Sequence, residues 1–542
     1  MIRLKWFTVL LLLGLTACSP SRETADTLVI NANVYTVDSA FSKATAFAVK
    51  DGRFIAVGND EELQERFSAG EIFDAGGKTI VPGLIDAHCH FYGLGLNQEV
   101  VDLTGTKSYE EVLARVKAFQ QERNSDFIRG RGWDQNDWEV KEFPTSKELD
   151  ELFPDTPVAL ERVDGHAYLV NSAAMKMAGI GPDTAVPGGE VVKESGKPTG
   201  VLVDGPMALV DAIMPKPDKE TIVRALKAAE KISFDYGLTT VNDAGLDRSV
   251  IEIIDSLQQA GELRMRVYAM VSNKPENLDH FLEQGILKTD RLNVRSVKVY
   301  GDGALGSRGA ALKAPYSDKP GHFGAMVTPV ADIRALAKRI AATEYQMNTH
   351  AIGDSANAVI LETYAEVLAE KEDPRWKIEH AQVIAPGDFD YFGEKIIPSV
   401  QPTHATSDMY WAEDRLGAER VKGAYAFKDL LQQSGLLALG TDFPVEQVNP
   451  FHTFYAAVTR QDLEEYPEGG FMPSQLLERE AALKGMTIWA AYSNFEEDEK
   501  GSIEAGKFAD FVILDKNIME VPGNEIPKLK AVKVSVGGEW VK

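Results

Sequence analysis

Eight short apolar runs separated by helical patterns constrain this chain more than any other feature. They are Ile80–His88, Thr239–Asp243, Arg266–Val271, Val294–Tyr300, Gln346–His350, Trp376–His380, Ile396–Val400 and Leu436–Gly440. Amphipathic patterns such as Lys219–Tyr236 and Val330–Thr343 lie between several of them. A strand, a helix and a second strand in this order build a parallel sheet with its helices outside. Eight such units predict an α/β fold, a (β/α)8 barrel (TIM barrel). The stretch between the first two runs is far too long for one crossover. It predicts an inserted subdomain or lid at about 91–237.

The two ends of the chain read differently. Leu28–Ile30, Val34–Val37, Ala46–Val49 and Arg53–Val57 are strand-like, with an Asp51-Gly52 hairpin signal between the last two. Phe511–Leu514 and Lys530–Val536, followed by Gly537-Gly538, echo them at the far end. Residues 19–79 and 501–542 are therefore expected to form one small β-sandwich. Residues 80–445 are then the barrel with its insertion, and 446–500 the last barrel helices.

The first residues read as a targeting segment. Arg3 and Lys5 precede an apolar stretch from Val9 to Leu15, too short to span a membrane comfortably. Leu15-Thr16-Ala17-Cys18-Ser19 resembles a bacterial lipobox, which implies cleavage after residue 17 and lipidation of Cys18. An ordinary signal peptide with an incidental cysteine is the alternative. Ser19, rather than Asp, points to the outer membrane, with the protein facing the periplasm or cell surface. Cys89 is the other of two cysteines, so lipidation of Cys18 leaves no intrachain disulfide. The net charge of −25 argues against nucleic acid or anionic lipid as partner. The expected partners are a small-molecule substrate and a membrane reached only through the lipid anchor; a homodimer is left open.

Chemistry enters at the ends of the runs. In His88-Cys89-His90, strand alternation points both imidazoles the same way and sends Cys89 to the opposite, packed face. Lys298 lies in the fourth run and leads into Gly301-Asp302-Gly303. The fifth ends at His350, the sixth at Ile378-Glu379-His380, and the eighth leads to Thr441-Asp442. A barrel gathers its C-terminal strand ends at one mouth, where such enzymes do their chemistry.

These stations resemble the metal-ligand set of the amidohydrolase superfamily. Gly132-Trp133-Asp134-Gln135, Asp164-Gly165-His166-Ala167, Asp302 to Arg308 and Gln401 to Asp408 resemble its amidohydrolase-3 branch, the YtcJ-like and N-substituted formamide deformylase group. So does Gly501 to Val512, and the likeness covers nearly the whole mature chain. The resemblance implies one or two divalent ions, with zinc suited to neutral imidazoles. It implies His88, His90 and Asp442 on a more buried ion and His350 with His380 on a more exposed one. It also implies Lys298 as a carboxylated, bridging ligand; a plain salt-bridging lysine beside a single ion is the alternative. Asp442 is then the catalytic residue, taking a proton from metal-activated water and passing it to the leaving group.

Other residues have two readings each. His166 and His404 either contact substrate or are structural. Arg308 either holds an anionic substrate group or pins its own loop. Trp133 and Asp134 either form a lid over the mouth or pack inside the insertion. The expected function is hydrolysis of a non-peptide carbon–nitrogen bond in a small amide, formamide or cyclic amide. Esters, carbamates and N-acyl amino acids are alternatives, as is a non-catalytic ligand-binding surface lipoprotein.

Overall fold

A computed structural model describes residues 22–163, 165, 167–186 and 189–542. Cys18 and His166 lie outside the described residues. Eight parallel strands form the central sheet: β1 (Leu84–Cys89), β2 (Leu238–Leu246), β3 (Arg266–Ser272), β4 (Leu292–Tyr300), β5 (Gln346–Ala351), β6 (Trp376–His380), β7 (Ile396–Val400) and β8 (Ala438–Leu439). They neighbour one another in chain order. The sheet comes close to closing where Asp442 N–H donates to the His88 carbonyl at 2.8 Å and His90 N–H donates to the Phe443 carbonyl at 2.7 Å. At Gly440 a Cβ would sit 2.5 Å from His88 N, so the last strand meets the first only through a glycine.

The run read as one strand, Ile80–His88, is two. Thr79–Pro82 pairs with Phe511–Leu514 in a peripheral sheet, and β1 begins at Leu84. Gly83 makes the break: a Cβ there would lie 2.2 Å from Thr239 Oγ1. The eighth run shortens to Ala438–Leu439.

The helices of the shell follow the usual amphipathic logic. In Lys219–Asp235, Ile222, Ala225, Leu226, Ala229 and Phe234 are buried at helical spacing, and Asp218 caps the start by accepting from Thr221 N–H. The barrel interior is unusually polar. Asn242, Ser296, Gln346, Asn348, Lys377 and Ser399 are all buried there. Asn494 closes the floor, accepting from Asn242 Nδ2 at 2.9 Å and from Lys377 Nζ at 2.7 Å.

Two further sheets pack together at the ends of the chain. One is built from residues 23–74 alone; the other joins strands from residues 33–82 to strands from 511–540. Phe47, Phe54, Phe511 and Ile513 fill the space between them. Arg266 on β3 ties this unit to the barrel through a paired contact with Asp510, at 2.6 and 2.8 Å. The insertion has its own six-stranded sheet, with strands between Val101 and Asp204, and its own apolar core. Helix Lys219–Asp235 precedes β2 and packs on Phe91–Asn97, so the separately folded part of the insertion is narrower than 91–237.

Candidate metal centre

Each ligand-type side chain sits where a barrel strand ends. His88 is at 0% exposure and Lys298 at 1%; His380 and Asp442 are also buried. Cys89 is fully buried among apolar side chains, on the face opposite the imidazoles. His88 Nε2 lies 3.5 Å and His90 Nε2 3.2 Å from Asp442 Oδ1. Lys298 Nζ is 3.0 Å from His88 Nε2. The rings of His350 and His380 approach to 4.5 Å, and those of His88 and His380 to 4.9 Å.

Backbone conformation explains how β6 delivers two polar side chains to one place. Alternation sends neighbours such as Glu379 and His380 to opposite faces. His380 instead has φ +73°, a left-handed conformation that turns its ring into the mouth while Glu379 stays beneath it. Asp442 is also left-handed, at φ +62°. Such backbone costs roughly 1–3 kcal/mol per residue and is concentrated at functional sites.

His88, His380 and Asp442 place ligand atoms within 4.8 Å of one another. The resemblance implies His88 and Asp442 with His90, and in the structure His380 also joins His88 and Asp442 in one group. His90, with its side chain 30% exposed, is more open than His88 or Asp442. The donors suit a divalent ion. His350 Nε2 and His380 Nδ1 are buried with no hydrogen-bond partner among the described residues, a costly state that a bound cation would relieve. Burial holds His350 down to about 3, and holds His88 and His380 below their ordinary value too. All three are therefore neutral, the form that binds metal. For Asp442, burial pushes the carboxyl up, but the His90 hydrogen bond and the surrounding histidines outweigh it and keep the group ionised.

The supporting residues were not singled out from sequence. Glu379 Oε2 is 2.6 Å from His88 Nδ1. Asp86 accepts from His88 N–H, Thr441 N–H and the Thr441 hydroxyl, joining β1 to the loop that carries Asp442. Asp302 accepts from the backbone N–H groups of Ala311, Ile352 and Gly353, fixing the loop after His350. Their common signal is an acidic residue inside or just beyond a run that is otherwise apolar.

Of the residues with two readings, His404 joins the site. Its Nε2 is 3.7 Å from Asp442 Oδ2 and its ring stacks on His380. Trp133 does not face the mouth. It is fully buried in the insertion's core, where Nε1 donates to the Leu160 carbonyl at 2.8 Å. Asp134 pairs with Arg162 and caps the short turn at 135–137. Arg308 pins its loop to Asp318 at 2.6 Å. In this structure Trp133 packs inside the insertion and Arg308 anchors its own loop.

A barrel with imidazoles and a carboxylate gathered at its C-terminal mouth defines a metal-dependent hydrolase. The amidohydrolase family model matches residues 71–542, and the chain belongs to that family. It is 31% identical to the putative amidohydrolase YtcJ of Bacillus subtilis, over 94% of this chain and 98% of that one. It is 27% identical to an N-substituted formamide deformylase of Arthrobacter pascens, over 95% and 97%. The crystal structure of an uncharacterized metal-dependent hydrolase from Pyrococcus horikoshii superposes with a TM-score of 0.78 at 30% identity, covering 92% of this chain and 99% of that one.

Proposed function

We propose that this protein hydrolyses a non-peptide carbon–nitrogen bond of a small molecule, an amide, formamide or cyclic amide. The observation that carries the reading is the buried group of His88, His380 and Asp442, whose ligand atoms lie within 4.8 Å of one another. The formamide deformylase relative supports the choice of bond.

His88, His90, His350, His380 and Asp442 would hold a divalent ion, which when bound would supply Lewis acidity to a carbonyl and lower the pKa of water. The chain's own residues do the rest. Asp442, kept ionised by its histidine neighbours, accepts the proton of the attacking water and returns it to the departing nitrogen. His90 and His404 flank that carboxylate and fix its orientation. Glu379 accepts a hydrogen bond from Nδ1–H of His88, which fixes the tautomer with its lone pair on Nε2.

Zinc fits this imidazole-rich set. Burial lowers the pKa of Lys298, favouring the neutral amine that reacts with carbon dioxide, and a carboxylated Lys298 would bridge two ions. The lipobox-like segment adds anchorage at the outer membrane through Cys18.

Metal analysis joined to a panel of formamides, amides, cyclic amides, esters and carbamates tests the function. Stoichiometric zinc with turnover of the nitrogen-linked substrates is expected. Preference for esters or carbamates would reassign the bond. Bound metal with no turnover of any class would favour a binding protein.

A further inference from the structure

Tyr300 ends β4, two residues beyond Lys298. Strand alternation turns Ser296, Lys298 and Tyr300 to the same face. The backbone there is pinned to its neighbours. Tyr300 pairs in register with His350 on β5, and Gly301 N–H donates to the His350 carbonyl at 2.9 Å. The Thr328 hydroxyl donates to the Tyr300 carbonyl at 2.7 Å.

The side chain lies against the ligand set. Lys298 Nζ is 5.2 Å from the centre of its ring, and the centre of the His350 ring is 5.8 Å away. The phenol reaches from β4 to the end of β2. A Cβ on Gly245, which is left-handed at φ +96°, would lie 3.7 Å from the Tyr300 hydroxyl and 3.9 Å from Lys298 Cγ. Tyr300 is 40% exposed where Lys298 is 1% exposed. A small molecule that reaches Lys298 and His350 from solvent therefore meets this side chain.

Its hydroxyl is uncommitted. The hydroxyls of Tyr316, Tyr345 and Tyr364 donate to backbone carbonyls, and that of Tyr425 donates to Asp408. The Tyr300 hydroxyl makes no hydrogen bond among the described residues. A phenol keeps its proton at neutral pH and can donate it to a hydrogen bond. His88, His350, His380 and Asp442 offer lone pairs. The carbonyl oxygen of an amide under attack gains negative charge and is stabilised by a donor. We propose that Tyr300 is a catalytic residue whose hydroxyl donates a hydrogen bond to the substrate's carbonyl oxygen as that oxygen gains charge. The proposal rests on the hydrolase reading.

Tyr300→Phe keeps the ring and removes the donor. On the best substrate of the hydrolase panel, kcat should fall roughly 10²–10³-fold, with KM, metal content and melting behaviour unchanged. A second measurement needs no turnover. Methylphosphonate is tetrahedral and presents anionic oxygens. In calorimetric titration of the full, metal-loaded protein it should bind Tyr300→Phe about tenfold more weakly than wild type. A ring that only packs predicts no change in either measurement, because the ring is still there. Undiminished kcat, a rise in KM at constant kcat, or equal or absent methylphosphonate binding in the two proteins would overturn the proposal. Wild-type turnover that survives Tyr300→Phe overturns this proposal alone. Absence of turnover across the whole panel overturns the hydrolase reading with it.

Discussion

Glu379 Oε2 and His88 Nδ1 stand 2.6 Å apart, both fully buried, at the centre of the barrel mouth. Burial pushes the Glu379 carboxyl up, but His88, Lys377 and Lys298 outweigh it and hold it at about 2. An ionised carboxylate behind an imidazole fixes the tautomer and raises the basicity of the outward nitrogen. Glu379→Gln should therefore weaken metal binding by roughly 10–100-fold. Competition with a chromogenic chelator measures this, and wild-type affinity in the variant would count against the pairing.

Asp442 is placed both among the metal ligands and as the proton acceptor, so its replacement should affect both roles. Asp442→Asn keeps the shape of the side chain but cannot accept a proton. We expect kcat to fall by roughly 10²–10⁴-fold on the best substrate of the hydrolase panel. His88→Ala should abolish turnover and also lower metal content. Full activity in either purified variant would sink the assignment of the site.

Much of this was legible in the sequence because barrel strands are short, apolar and end in chemistry. His350, His380 and Asp442 could be placed because each closes or follows such a run. Closure itself was not legible. It depends on Gly440 lying against His88 and on left-handed backbone at Asp442, which apolar patterning does not encode. The break at Gly83 was hidden for a similar reason: Ile80 to Ile85 is continuously apolar although it serves two sheets. Glu379 escaped because alternation assigns it the face opposite His380, and only the turn at φ +73° brings both to the site. Trp133 could be read either as lid or as core, and only the insertion's own sheet decides for core.

Lys298 gives a prediction that a salt-bridging lysine would not. Among the described residues no carboxylate lies within ion-pair distance of its Nζ, which lies 3.0 Å from His88 Nε2. If Lys298 bridges two ions as a carbamate, Lys298→Ala should lose one equivalent of metal and most activity. A short carboxylate such as acetate or propionate should restore part of both. Two ions at full occupancy in Lys298→Ala without added acid would exclude a bridge.

Cys18 predicts where the protein resides. Fractionation of cells making the full chain should place it with outer membranes, and Cys18→Ser should release it into the soluble fraction. Two lipid signals hold a protein to a bilayer far better than one, so a fully acylated cysteine should resist salt washing. Membrane retention of Cys18→Ser would contradict the anchor.

The Arg266–Asp510 pair should govern acid stability. It joins the barrel to the terminal sheets with both partners almost completely buried. Burial raises the Asp510 carboxyl, but Arg266 outweighs it and holds it below its ordinary value of 3.8. As pH falls, the unfolded chain takes up this proton before the folded one does. The pair's contribution is thus complete above about pH 4 and is lost as pH drops through the folded value. Asp510→Asn leaves Arg266 buried without a counter-charge, at a cost of about 3–5 kcal/mol at neutral pH. Denaturant unfolding at several pH values checks both parts. The variant should be much weaker than wild type at pH 7, and the gap should narrow below about pH 4. A constant gap across that range would show that the stabilisation comes from packing of Asp510 rather than from its charge.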